Sequence, residues 1–127
     1  MGADDVRLIG IHHVQLAMPD GEEHDAVRFY ATALGLEQVE KPPQLSPRGG
    51  VWFRSGDIEV HLGVEEVFRP AIKAHPAILV EGLGKIRARL EEAGYKVTDT
   101  VEMDGYDRVY VRDPFGNRLE LIEELRG

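Results

Sequence analysis

Apolar and polar residues alternate near the end of the chain, on both sides of a segment rich in turn-forming residues. Residues 113–117 include Asp, Pro, Gly and Asn, which favour β-turns for different conformational reasons. The pattern therefore predicts a hairpin within residues 110–125. In its second strand Leu119 and Leu121 fall on one face and Glu120 on the other, because strand side chains alternate. A carboxylate in the middle of an apolar strand is a candidate functional group.

A similar pattern occurs about 60 residues earlier in the chain. The hairpin predicted at 51–64 places His61 where the later hairpin has Glu120. The two glycines expected to end helices, Gly35 and Gly94, show nearly the same offset. A period of this size indicates two copies of one supersecondary unit, each too small to bury its own apolar face.

Each unit is predicted to contain four strands and one helix. In the first unit the strands are expected at 10–18, 38–41, 51–54 and 58–64. Its helix is expected from a capping box of Asp20 and Glu23 to Leu34. In the second unit the strands are expected at 74–80, 97–102, 108–112 and 118–124, with a helix that ends at Gly94. The order βαβββ, twice, predicts a single α+β domain over 1–127, with module one at about 8–66 and module two at about 73–125.

Composition narrows the range of functions. A chain of 127 residues with 43% hydrophobic content can bury one core, and it contains no cysteine for disulfides or thiol chemistry. The net charge of −8 disfavours nucleic acid as a partner, which requires clustered Lys and Arg. No stretch approaches the roughly 18 apolar residues of a membrane span. We expect a cytoplasmic protein without a membrane or nucleic-acid partner.

Four side chains form a candidate metal site: His13, His61, His75 and Glu120. All four are predicted to lie on strand faces opposite the aliphatic face. Imidazole and carboxylate groups bind Zn, Fe, Mn, Co or Ni. A single histidine on a strand is usually a surface or hydrogen-bonded residue, but these four occupy equivalent places in the two repeats. We expect them to converge if the two sheets curve together. His12 is expected to point toward the helix side and His24 to lie in the first helical turn, so neither is included.

Further residues are candidates for contacting a small-molecule substrate: Trp52, Arg54, Tyr106, Arg108 and Tyr110. They suit an anionic or aromatic ligand. Ordinary strand packing and surface charge explain them equally well. Glu59 and Arg118 are expected beside His61 and Glu120, either supporting them or at solvated strand ends.

The chain resembles the vicinal oxygen chelate superfamily, which includes glyoxalase I, methylmalonyl-CoA epimerase, extradiol dioxygenases, and fosfomycin and bleomycin resistance proteins. The resemblance covers nearly all of 10–123. Its most specific parts are H-H-V-Q-L at His13, A-H-P-A-I-L-V at His75 and D-P-F-G-N-R-L-E-L at Glu120. It implies tandem βαβββ modules that form a U-shaped curved mixed sheet around a cavity. It also implies a divalent metal that chelates vicinal oxygens of a substrate, and assembly as a homodimer.

His61 departs from the family pattern, since glyoxalase I typically has Glu there and the epimerase Gln. The resemblance therefore implies a lyase, isomerase or dioxygenase type of enzyme rather than glyoxalase I itself, with Glu120 or His61 moving the proton. The alternative is a bleomycin-resistance-like protein that binds a small molecule without turnover. The retained ligand set argues against that alternative, because bleomycin resistance proteins lack the ligands. A thiol-transferring resistance enzyme is a third possibility.

Overall fold

The computed structural model of the chain describes residues 5–126. The first module consists of β1 (Val14–Met18), α1 (Glu23–Val27), a π-helical segment (Arg28–Ala33), β2 (Glu37–Val39), a 3₁₀ turn (Ser46–Arg48), β3 (Val51–Ser55) and β4 (Ile58–Val64). The second consists of β5 (Ala77–Leu79), α2 (Leu83–Glu92), β6 (Val97–Asp99), β7 (Tyr106–Arg112) and β8 (Arg118–Glu124). None of the helices in this part of the chain is long and apolar enough to cross a membrane.

The two modules have the same topology. Each forms a four-stranded mixed sheet, in the order β1-β4-β3-β2 and β5-β8-β7-β6. The first strand of each module pairs in parallel with the last, and all other pairs are antiparallel. The predicted α+β fold of tandem βαβββ units is confirmed.

One core lies between the inner faces of the two sheets and the helices. Phe29 and Tyr30 are fully buried, as their helical spacing predicts. The Tyr30 ring stacks on Phe53 of the first sheet, while Phe29 packs edge-to-face with Tyr95 of the second module. Because strand side chains alternate, residues between the core positions of each strand lie on an outer face, opposite this core.

Several strands are shorter than the sequence pattern predicts. The first begins at Val14 instead of Gly10 because its parallel partner β4 begins at Ile58, and the ladder starts at the pair Val14 and Val60. Residues 5–13 form no strand, and Leu8 is 97% exposed. Likewise β5 begins at Ala77, just after Pro76, which has no N–H for a ladder.

The predicted capping box at the first helix is wrong. The N-cap position is Glu22, and no side chain among residues 5–126 caps the helix. The Glu23 carboxylate instead accepts a hydrogen bond of 2.9 Å from the backbone N–H of Gly50. Glu23 therefore anchors the loop before β3, and this long-range bond competes with the local one that the sequence suggests.

The predicted turn before β8 is confirmed, and it also joins the two modules. Asp113 Oδ1 accepts hydrogen bonds from the backbone N–H groups of Phe115 and Asn117. Its Oδ2 accepts from the Tyr30 hydroxyl at 2.7 Å and from the Asn117 amide, which also donates to the Ala17 carbonyl. Burial raises the pKa of Asp113, against the hydrogen bonds that favour its carboxylate.

Candidate functional site

The second module carries a histidine–carboxylate pair on the outer face of its sheet. Glu120 lies in the middle of β8, beside Ala77 of β5. Its Oε1 lies 3.0 Å from His75 Nε2. His75 Nδ1 lies 2.8 Å from the Lys73 carbonyl, which only accepts hydrogen bonds, so Nδ1 is the donor. His75 Nε2 therefore faces the carboxylate of Glu120.

Aromatic and basic side chains surround this pair. Tyr110 faces Glu120 across the strands, and its ring packs edge-to-face against His75, with the centroids 5.2 Å apart. Arg108 Nη1 donates to Glu120 Oε2 at 3.2 Å, and Nη2 donates to the Val101 carbonyl. Arg108 Nε is buried and has no hydrogen-bond partner within residues 5–126. These side chains leave Glu120 only 7% exposed, and the Arg108 guanidinium compensates its negative charge.

The first module carries a pair of histidines on the outer face of its sheet. His61 is sandwiched between the Trp52 ring, parallel to it at 3.8 Å, and the His13 ring at 4.1 Å. Its Nε2 lies 3.0 Å from Glu59 Oε1. Burial lowers the pKa of His61, so the imidazole is neutral near pH 7, and the hydrogen bond to His61 lowers the pKa of Glu59.

Of the predictions for the two remaining histidines, one is wrong and one is confirmed. His12 is exposed, and its Nδ1 lies 2.9 Å from His13 Nδ1. The prediction that it points toward the helix side is wrong, because His12 precedes β1 and its exposed ring contacts His13. His24 is exposed in α1, as predicted.

The four predicted metal ligands lie in two separate pairs within one chain. No group of three or more His, Asp or Glu residues suited to a metal ion occurs among residues 5–126. The expected convergence on one cavity therefore does not occur in the single chain. The physical reason is that the two sheets share the core through their inner faces, so each presents its pair on the opposite side.

Only three of the five predicted substrate-contact residues lie next to the candidate ligands. Trp52, Arg108 and Tyr110 touch the candidate ligands. Arg54 is exposed on β3, opposite Glu59 in register. Tyr106 is 38% exposed at the start of β7, opposite Glu124. Neither Arg54 nor Tyr106 makes a hydrogen bond to the candidate ligands within the described chain.

Sequence reasoning did not single out Gln15. The side-chain amide of Gln15 lies over Gly63, where an added Cβ would be 2.5 Å from Gln15 Nε2. Gln15 is also the residue of β1 that pairs with His61 of β4. The alternation that places His13 and Gln15 on one face was the available signal.

Comparison with known proteins agrees with this arrangement of two repeated modules. Residues 10–121 match the family model of the Glyoxalase/Bleomycin resistance protein/Dioxygenase superfamily. The chain belongs to this superfamily. The resemblance inferred from the motifs at His13, His75 and Glu120 is confirmed. The comparison with curated proteins gave no match.

Solved structures of the superfamily share the fold. A protein described as a glyoxalase family member from Bacillus anthracis is 42% identical, with a TM-score of 0.90, covering 94% of this chain and 98% of its own. The fosfomycin resistance protein FosX from Listeria monocytogenes is 13% identical, with a TM-score of 0.73 and coverage of 94% and 96%. A glyoxalase/bleomycin resistance protein/dioxygenase from Alicyclobacillus acidocaldarius is 15% identical, with a TM-score of 0.69 and coverage of 92% of each chain. The last two similarities concern the fold alone.

Proposed function

We propose that the protein is a homodimeric, divalent-metal-dependent enzyme whose site combines the pair His13 and His61 of one copy with the pair His75 and Glu120 of a second. The observation that carries this proposal is the placement of two incomplete ligand pairs at equivalent positions of the two modules, each on an outer sheet face. In a dimer with twofold symmetry, the His13–His61 pair of each copy meets the His75–Glu120 pair of the other copy, so the dimer contains two such sites.

The edges of the two sheets support pairing with a second copy. Both β1 and β5 lie at the edge of their sheets, and edge strands present unpaired backbone groups to another chain. Leu79 at the end of β5 is 60% exposed, and Ile11 before β1 is also exposed. Docking β1 of one copy beside β5 of the other covers these apolar residues and places His13 near the partner's sheet.

The donor chemistry fits a divalent ion. Lowering of the His61 pKa by burial keeps this imidazole in the neutral form that binds metals. The Lys73 carbonyl fixes the His75 tautomer, and such contacts commonly orient metal-ligating histidines. His75 Nε2 and Glu120 Oε1 lie 3.0 Å apart, so one cation can be bound by both atoms. Three imidazoles and one carboxylate suit Zn, Ni, Fe, Mn or Co.

The surrounding residues suit a reaction at two neighbouring oxygens of a small molecule. When bound, the metal supplies Lewis-acid polarisation of such oxygens. Glu120 is positioned to take or return a proton through Oε1, while Arg108 holds Oε2. Trp52 and Tyr110 form apolar walls that limit access of water. We infer a lyase, isomerase or dioxygenase type of reaction.

Metal titration of purified variants tests the proposal. We expect wild-type protein to bind about one Zn²⁺ per chain by calorimetry. Glu120→Gln keeps the side-chain shape but loses the charge, so its affinity for Zn²⁺ should fall by about tenfold or more. His61→Gln should have a milder effect, since an amide oxygen remains. The controls Glu124→Gln and His24→Gln remove exposed groups and should bind like the wild type.

An unchanged affinity in a folded Glu120→Gln variant would remove this residue from the metal site. Protein that takes up none of the five candidate metals would support the alternative of small-molecule binding without turnover.

A further inference from the structure

A polar cavity lies on the outer face of the second sheet, next to the His75–Glu120 pair. Its volume is about 360 Å³, and it is lined by Lys96, Thr98, Tyr110, Val111, Arg112 and Arg118. Thr98 pairs with Tyr110 in register, and Arg112 pairs with Arg118. Alternation places these side chains, apart from Val111, on one face, because Val97 and Val111 point into the core.

The charge of this cavity is positive, although the chain as a whole carries −8. Lys96, Arg112 and Arg118 form no ion pair with a carboxylate in the part of the chain that the structure describes. By contrast, Arg87 and Arg108 each pair with acidic residues. The cavity therefore brings three cations together on one sheet face with no carboxylate paired to them.

Hydrogen bonds to backbone carbonyls hold the two guanidinium groups in place. Arg112 Nη1 donates to the Gly116 carbonyl at 2.9 Å, and Arg118 Nη2 donates to the Ile72 carbonyl at 3.3 Å. The Arg118 guanidinium also lies 4.8 Å from the centre of the Tyr110 ring. These contacts orient the arginines without supplying a negative charge, so donors remain for another acceptor.

Like charges directly opposite each other on neighbouring strands destabilise a sheet. Arg112 and Arg118 are such a pair, and Lys96 adds a third positive charge. An anion between them removes the repulsion and accepts hydrogen bonds from planar guanidinium groups, which match carboxylate and phosphate geometry.

We propose that this cavity binds the oxyanion group of a small organic molecule, a carboxylate, phosphate or phosphonate. Tyr110 connects it to the proposed metal site, since the same ring lines the cavity and packs on His75. In the dimer of the proposed function the cavity then holds the charged end of the substrate while its other end reaches Glu120. Binding of the anion itself requires neither metal nor turnover.

The test is a titration of metal-free protein, treated with EDTA, with inorganic phosphate at constant ionic strength. It is followed by ¹H–¹⁵N NMR. We expect saturable shifts at the backbone amides of residues 96–98, 110–112 and 118. Arg118→Gln should raise the dissociation constant by about tenfold, the scale of one charge-assisted hydrogen bond. Lys85→Gln removes an equal charge from α2, which contributes no residue to the cavity, and should leave the constant unchanged.

The proposal would be overturned if phosphate caused no chemical shift changes or only non-saturable ones. It would also be overturned if Lys85→Gln and Arg118→Gln weakened phosphate binding equally. Acetate in place of phosphate shows whether a carboxylate suffices. Zn²⁺ titration of Arg118→Gln separates this proposal from the proposed function: metal affinity like that of wild type together with lost phosphate binding supports an anion site. Phosphate binding without any metal binding retains the cavity and removes the metal site.

Discussion

Asp113 connects the two modules through side chains far apart in sequence. Its carboxylate holds the turn before β8 and receives the hydroxyl of Tyr30, which is 83 residues away. The turn itself is predictable, because Asp, Pro, Gly and Asn act within a few residues of one another. The contact with Tyr30 is not, because it depends on how the first helix packs on the second module.

Replacing Tyr30 with Phe tests the contribution of this contact. Burial raises the pKa of Tyr30 well above its usual range, so the hydroxyl remains a donor. Tyr30→Phe leaves the ring packing intact but removes one donor to a buried carboxylate, and should lower the free energy of unfolding by about 1–3 kcal/mol in urea titrations. Tyr95→Phe, at a ring of the same core whose hydroxyl bonds to none of the described residues, should change it by less than about 0.5 kcal/mol. Equal effects in both variants would contradict the role of Asp113.

At the scale of elements, alternation correctly predicts strand faces but not strand ends. In β4 the aliphatic Val60 and Leu62 are buried in the core, and His61 lies on the other face, as predicted. Strand ends depend on the length of the neighbouring strand, so the pattern overestimates β1. Burial of His61 also escapes prediction, because it results from the flat contact with Trp52 across the hairpin.

The loop before β3 can approach β4 closely because residue 50 is a glycine. Its φ is +86°, and an added Cβ would lie 2.1 Å from the Leu62 carbonyl oxygen, a backbone atom that has little room to move. Gly50→Ala should lower the free energy of unfolding by more than about 2 kcal/mol in urea titrations. Gly56 also has positive φ, but nothing lies within 4 Å of its Cβ position. Gly56→Ala should therefore show only the backbone strain of about 1 kcal/mol. A mild effect at Gly50 would indicate that the loop shifts freely.

At the scale of the whole molecule, the repeat of about 60 residues correctly predicts two equivalent modules. It does not predict how they face each other. The ring contacts of Tyr30 with Phe53 of the first sheet and of Phe29 with Tyr95 of the second module join the modules in one core. The pairs His13–His61 and His75–Glu120 therefore lie on separate faces. A pattern of residues along one strand carries no information about this packing.

The most direct test of the account is metal binding by a mixed dimer. One copy carries His13→Ala and His61→Ala, and the other carries His75→Ala and Glu120→Gln; two different affinity tags isolate the mixed species. A site shared between copies retains one intact set of four ligands, so the mixed dimer should bind about one Zn²⁺, half the wild-type amount. Each variant alone should bind none. A mixed dimer that binds no Zn²⁺ although wild type does, or wild-type protein that is monomeric by light scattering with Zn²⁺ bound, would contradict a site built from two copies.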